Sequence, residues 1–245
     1  MTTIAVIGAT GQIGRLVVAE ALGDGVTVRA QSRDAARARR SLPDGAEVLA
    51  ADPTDPESLR PLLDGVDAVV LTHGTDVDGR GGKTFYEVVR AVLEVLPERA
   101  HVSLMTAMRT SEHPARYEFF AWKRRAERLL RASGRPHVIV RPGWFDYEGP
   151  EDQAIDLRQG DLVTGQPGVS KQHVADVLLA GAHTATVPGT TVELFSKAGA
   201  PDDDVPALLT TMEPDDAAHP ERGSQDSTEV PLAEEPEEVR RDLAA

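Results

Sequence analysis

The chain has no cysteine, only ten aromatic residues among 245, and no apolar run near the ~20 residues of a membrane-crossing helix. Without cysteine there are no disulfides, no thiolate nucleophile and no cysteine-ligated zinc or iron–sulfur cluster. None of the seven histidines stands at HxH or HxxxH spacing, so metal chemistry has no support. No basic patch of the kind nucleic acid requires is present, because the densest, Arg33 to Arg40, is short. The N-terminus, MTTIAVIG, enters an apolar run without a basic region or small-residue cleavage site, and a cytoplasmic protein not associated with membranes is expected.

Acidic charge is abundant and unevenly placed. Of the formal net charge of −14, residues 201–245 carry −11, from 14 Asp/Glu and 3 Lys/Arg, and six of the 17 prolines. That composition reads as a weakly structured acidic tail, free to stay mobile or to wrap a neighbouring subunit. Residues 1–200 are nearly neutral and long enough for one nucleotide-binding domain, with a substrate side over about 146–200.

Within that body, apolar runs of strand length recur at Ile4–Ile7, Val26–Ala30, Glu47–Ala50, Ala68–Leu71, Val102–Met105, Val138–Val140 and Val192–Phe195, with helical stretches between them. The alternation predicts an α/β fold: a doubly wound, Rossmann-type parallel sheet with helices on both faces and a small C-terminal substrate region. Asp146 to Gly168 is polar and glycine-containing and reads as an irregular loop or lid.

The first strand runs into GATGQIG. A diphosphate needs backbone N–H groups with no side chain in the way and the positive end of a helix nearby. Gly8 suits the turn, Gly11 the close approach of the phosphates, and Gly14 the packing of helix on strand. With Thr10, Gln12 and Ile13 they form the expected cofactor loop. The spacing is GxxGxxG, so the strand before it and the helix after it carry the reading more than the glycines do.

In such sheets ligands lie at the carboxyl ends of strands, so the strand exits hold the remaining candidates. The second exit offers Ser32 and Arg33, with no acid before Asp34 and with Arg37 one helical turn on. A cation there suits the 2′-phosphate of NADP(H), where NAD would call for a carboxylate. The third exit offers Asp52, either as an acceptor for the adenine amino group or as a helix cap. The fourth offers Thr72, His73 and Gly74, a small polar turn suited to lie beside a ribose, in which His73 reads as a local hydrogen-bonding residue and not an acid. Gly79 to Gly82 reads as a flexible linker before a helix over Thr84–Leu96.

The second informative stretch is YEFFAWKRRAERLLRASG followed by HVIVRPGWF. Phe119, Trp122, Ala126, Leu129 and Leu130 repeat at helical spacing as a core face, and Lys123 stands at i+4 from Phe119. Seven of the ten aromatics fall between Tyr117 and Tyr147. Among them, Trp144 and Phe145 at a strand exit read as an apolar substrate wall.

On GATGQIG, SRD after the second strand, Asp52, and above all AWKRRAERLLRASG with VIVRPGWF, residues 3–200 resemble the atypical short-chain dehydrogenases/reductases. The resemblance is to the NAD(P)H-binding group that includes NmrA-like proteins and flavin and biliverdin reductases. It implies that Lys123 is the lysine of the family's YxxxK motif, in contact with the nicotinamide ribose, that Pro142 belongs with the cofactor-binding residues, and that Thr106 or Ala107 takes the place of the catalytic serine. The chain departs from the family where its tyrosine should stand: that residue is Phe119, which has no proton to give, and Tyr117 lies on another face of the helix. General acid catalysis contributes about 10²- to 10⁴-fold, so ordinary ketone chemistry should be handicapped. Two readings follow. One is a reductase of small-molecule acceptors with conjugated rings, such as quinones or flavins; the other is an NADP(H)-binding regulator without turnover, acting through a protein partner.

Overall fold

Ile4 and Val6 belong to one apolar core and Ala5 and Ile7 to another, because successive residues of a strand point to opposite faces. That alternation makes β1 (Thr3–Ile7) the centre of a three-layer molecule. The computed structural model describes residues 2–74, 81–183, 187 and 189–244. Its elements continue with α1 (Gln12–Gly23), β2 (Thr27–Ser32), α2 (Ala35–Arg39), β3 (Glu47–Ala50), α3 (Pro56–Leu63), β4 (Ala68–Leu71), α4 (Gly81–Val95), β5 (His101–Met105) and α5 (Glu118–Ala132). After these come β6 (His137–Pro142), β7 (Trp144–Phe145), β8 (Ala154–Arg158), β9 (Gly168–Val169), α6 (Lys171–His183), β10 (Thr190–Lys197), α7 (Val205–Thr210) and α8 (Glu237–Asp242).

The main sheet has the order β3-β2-β1-β4-β5-β6-β10-β8, with every pair parallel except β10 and β8. This is the doubly wound Rossmann-type sheet, and each of the seven expected apolar runs is one of its strands. The order reverses between β1 and β4, which places the crevice where the β1 and β4 exits meet. Residues of α1 and α6 fill one core, and residues of α3, α4 and α5 the other. Each fully buried Val, Ile or Leu contributes about 1.5–3 kcal/mol of apolar transfer.

Three sequence expectations change. The stretch 146–168 is not wholly irregular: β8 closes the sheet edge, and β9 pairs with β7 in a separate two-stranded sheet. Its polar residues hid the strand, since an edge strand with one wet face needs few apolar positions. The helix before β5 starts at Gly81, inside the supposed linker, and Gly79 and Arg80 lie outside the described residues.

The third change concerns the acidic segment after residue 200, which is folded onto the body. Arg124, Arg128 and Arg131 of α5 are buried, as is Arg141 of β6. The carboxylate of Glu235 lies 2.8 Å from Arg125 and 3.4 Å from both Arg124 and Arg128. Asp226 accepts two hydrogen bonds from Arg141, at 2.9 and 2.8 Å, and Asp215 faces His137 at 3.1 Å. Val239 of α8 is fully buried in the second core, and Asp242 accepts from the Tyr86 hydroxyl at 2.9 Å. Composition counted along the chain cannot register pairing between acids and arginines some hundred residues apart. The segment has no core of its own and borrows the cationic face of α5.

Candidate functional site

The crevice at the reversal point is a cleft of about 760 Å³ lined by Gly8, Thr10, Gly11, Ser32, Arg33, Thr72, His73 and Gly74, all anticipated from the sequence. The β1–α1 turn has the geometry the glycines require. Gly8 sits at φ +82°, and a Cβ there would fall 2.8 Å from the His73 backbone nitrogen. A Cβ on Gly14 would fall 2.3 Å from the Gly8 carbonyl oxygen and 2.8 Å from Thr72 Oγ1. Thr72 is buried and donates to the carbonyls of Ile7 and Gly8 at 3.0 and 3.3 Å, so it shapes the turn. Gln12, Ile13 and Gly14 form the first turn of α1, whose N-cap, Gly11, has no side-chain cap bond.

At the β2 exit, Arg15, Arg33 and Arg37 lie exposed along the cleft, which Ser41 also lines. Among the described residues, the one carboxylate lining that end, Asp34, is spent on the cap of α2, where it accepts from the Arg37 N–H at 2.9 Å. Asp52 is exposed and accepts from the N–H and hydroxyl of Thr54 at 3.0 and 2.8 Å. Those bonds, with help from the Arg33 charge, hold its carboxyl below the usual range. It does not cap α3; Asp55 does, accepting from the Glu57 N–H at 3.1 Å.

Toward the other end the ring of His73 stacks on Phe85, with centroids 4.3 Å apart, and Lys123 Nζ lies 5.4 Å from the centroid of that same Phe85 ring. His73 Nε2 lies 3.2 Å from the Phe85 carbonyl, which can only accept, so Nε2 carries the proton and Nδ1 the lone pair. Burial drives the imidazole pKa down to about 4, which keeps the ring neutral. Nδ1 is buried without a partner. Lys123 donates from Nζ to the Thr106 carbonyl at 2.9 Å, and burial pulls its pKa down to about 8 against the opposing pull of Glu127.

Three anticipated roles are corrected. Thr106, buried, gives its hydroxyl to Glu127 at 2.6 Å, so that group is not free to act on a ligand. The carboxylate of Glu127 is itself held by Arg141 at 3.1 and 2.7 Å, and no local sequence feature marks that long-range partnership. Trp144 and Phe145 do not line the cleft: Trp144 is half exposed beside Tyr147, and Phe145 packs on the first core. Pro142 is buried at the end of β6, where its carbonyl accepts from the Met108 N–H at 3.2 Å; it too stands off the cleft, as does Lys123, which lies behind the Phe85 ring that lines it.

Sequence reasoning missed Arg15, Gln31 and Phe85. Gln31 accepts from the Gly8 N–H at 3.3 Å and donates to the Ala51 carbonyl at 2.8 Å, joining the exits of β1, β2 and β3. Arg15 follows the last glycine of the motif directly and was within reach of inspection. Phe85 was not, since nothing local shows that the first turns of α4 reach back to the β4 exit. On the C-terminal segment, His219, Glu221 and Glu229 bring potential metal ligands together; His219 and Glu221 share a hydrogen bond, and Glu229 pairs with Arg222.

The features of the cleft fit a dinucleotide. The α1 N-terminus offers uncapped N–H groups, the glycines let the turn pack closely on the β4 exit and on α1, and the buried Nδ1 of His73 lacks a donor such as a ribose hydroxyl would supply. Residues 8–185 match the NAD(P)H-binding family, and the chain belongs to it. It is 30% identical over 148 residues to the photosystem II assembly factor Ycf39 of Cyanophora paradoxa, a match covering 57% of this chain and 44% of that protein. The chain thus spans less than half the length of that relative. Among solved structures it resembles the oxidoreductase ylbE from Lactococcus lactis, with a TM-score of 0.70 and 15% identity over 86% of this chain and 99% of that one. It also resembles SP1627 of Streptococcus pneumoniae, described as an NADH-flavin reductase, with a TM-score of 0.60 and 18% identity over 80% and 100% of the two chains. At these identities the structural likeness shows the Rossmann-type fold alone. Among the described residues no helix is long and apolar enough to cross a membrane.

Proposed function

We propose that the protein binds NADP(H) in this cleft and passes a hydride to a conjugated acceptor such as a quinone or flavin. The observation that carries this reading is Phe119, one helical turn before Lys123, together with a Thr106 hydroxyl already given to Glu127. The two side chains that would hand a proton to a simple carbonyl are therefore lacking. An acceptor that spreads the incoming charge over a ring system takes its proton from water instead.

The bound cofactor supplies the hydride. Around it the residues have separate tasks. The α1 N–H groups take the diphosphate; Arg15, Arg33 and Arg37 take the 2′-phosphate; His73 Nδ1 accepts from a ribose hydroxyl; and Lys123 holds the nicotinamide ribose. Orientation is then the larger part of the catalysis. The flavin-reductase description of a protein with the same fold agrees with this acceptor class.

The missing acid also supports a second reading, in which the chain binds NADP(H) without turnover and signals to a protein partner; the assembly-factor name of its relative agrees with that. An NADPH-oxidation screen against quinones, flavins, enones and simple ketones, run beside a pull-down for partners, separates the two. Turnover on the conjugated acceptors and not on ketones supports the reductase. Slow turnover on everything, with a stoichiometric protein partner, supports the regulator, and rapid ketone reduction contradicts both.

A further inference from the structure

The lysine at the nicotinamide end is held through a chain of buried contacts that ends in the C-terminal segment. Lys123 Nζ donates to the Thr106 carbonyl at 2.9 Å, and the Thr106 hydroxyl donates to Glu127 at 2.6 Å. Glu127 lies on the same helix as Lys123, one turn on, so the pair ties α5 to the exit of β5. Its carboxylate is gripped by Arg141, whose Nε and Nη2 donate to it at 3.1 and 2.7 Å, and is faced more loosely by Arg131 at 3.5 Å.

Arg141 is fully buried and all its N–H directions are used. Nη1 and Nη2 donate to the two carboxylate oxygens of Asp226 at 2.9 and 2.8 Å, and Nη1 also donates to Glu193 at 3.1 Å. A planar guanidinium held on two edges by two carboxylates cannot swing. Asp226 is fixed in turn by the Gly223 N–H, at 2.9 Å. A further acid, Asp161, lies 3.9 Å from Arg141 and accepts from the backbone N–H groups of Arg109 and Ser111 at 2.6 and 2.8 Å, which pins the loop after β5 to the same hub.

We propose that Asp226 is a positioning residue of the cofactor site, fixing Lys123 through Arg141, Glu127 and Thr106. The C-terminal segment is then part of the site although none of its residues lines the cleft. This inference rests on the reading that the cleft binds NADP(H) with Lys123 at the nicotinamide ribose. Asp226→Asn keeps the shape and removes one charge from the hub. Arg141 retains Glu127, Glu193 and Asp161, so the fold is retained, as a thermal scan would verify.

The test compares the binding of NADPH and of 2′,5′-ADP, a ligand lacking the nicotinamide ribose, to the full-length wild type and to Asp226→Asn by calorimetry across pH 6 to 10. The expected result is a loss of about tenfold in NADPH affinity, the scale of one charge-assisted hydrogen bond, with 2′,5′-ADP binding unchanged. Equal weakening of both ligands means a general structural role and overturns the proposal, as does an unchanged NADPH profile. A wild type that binds neither ligand contradicts the cofactor reading itself and removes the proposal with it, a result distinct from the other two.

Discussion

Lys123 and Thr106 are joined by a hydrogen bond from Nζ to the backbone carbonyl at 2.9 Å, and the threonine hydroxyl points the other way, to Glu127. Lys123 is thus tied to the β5 exit, where the proposed function has it hold the nicotinamide ribose. The hydroxyl positions that would complete ordinary carbonyl chemistry are respectively diverted and, at Phe119, absent. Under the proposed function, hydride transfer persists in such a site without the family's tyrosine acid.

Restoring the acid tests that separation. Phe119→Tyr puts a phenol one turn from Lys123, and weak reduction of simple ketones should appear where the wild type has none. The gain available is up to about 10²- to 10⁴-fold, the usual worth of a positioned acid. Quinone or flavin reduction should survive the change. Steady-state rates with both acceptor classes check both halves.

Lys123 sets the expected pH behaviour. Its pKa of about 8, lowered chiefly by burial, means that the ammonium is lost as pH rises through 8, and NADPH affinity should decline over the same interval. For the protein alone the sign is opposite. The unfolded chain holds this proton to a pKa of ~10.4, so between about 8 and ~10.4 it binds more protons than the native state, and stability rises with pH. Lys123→Met should remove that rise, add up to about 3 kcal/mol to stability at pH 7, less what the lost bond to the Thr106 carbonyl contributes, and weaken NADPH binding. Urea denaturation at pH 7 and pH 9.5 measures it.

Gly14→Ala should damage the cofactor loop from within. Its Cβ would meet the Gly8 carbonyl at 2.3 Å, which forces α1 away from the turn that aims its N–H groups. A loss of about 1–3 kcal/mol, the usual range for overpacking, is expected together with loss of dinucleotide binding. Thermal unfolding with and without NADPH reports both: the cofactor-induced rise should vanish.

Glu235→Ala should be among the most destabilising single changes in the C-terminal segment. Its carboxylate is fully buried among Arg124, Arg125 and Arg128, and removing it strands those cations at a cost of about 3–5 kcal/mol. Ending the chain after Ala200 also removes Asp226 and Val239, and it should leave the body unable to fold stably. Chemical denaturation of the point variant and solubility of the shortened chain check the two statements.

The sheet was legible because β1, β4 and β6 are buried on both faces and so announce themselves as apolar runs, and the glycine turn because backbone crowding leaves it no alternative. Arg33 was legible as a cation at a strand exit. What escaped was whatever depends on contacts distant in sequence. Phe85 reaches the site from α4, Thr106 is turned aside by a glutamate gripped by Arg141, and Asp226 and Glu235 find their partners about 85 and 110 residues away. A tally of acids and prolines describes the C-terminal segment as if it were alone, whereas the arginines that fold it belong to another element.

The most direct measurement is a parallel titration of NADPH and NADH against the wild type and Arg33→Ala. A wild type that prefers NADPH, with a selective ten- to hundredfold loss for NADPH in the variant, is the expected result, since on this account the side chain would contribute about 1.5–3 kcal/mol of charge-assisted contact with a 2′-phosphate. Equal weakening of both cofactors, or a wild type that prefers NADH, would contradict it.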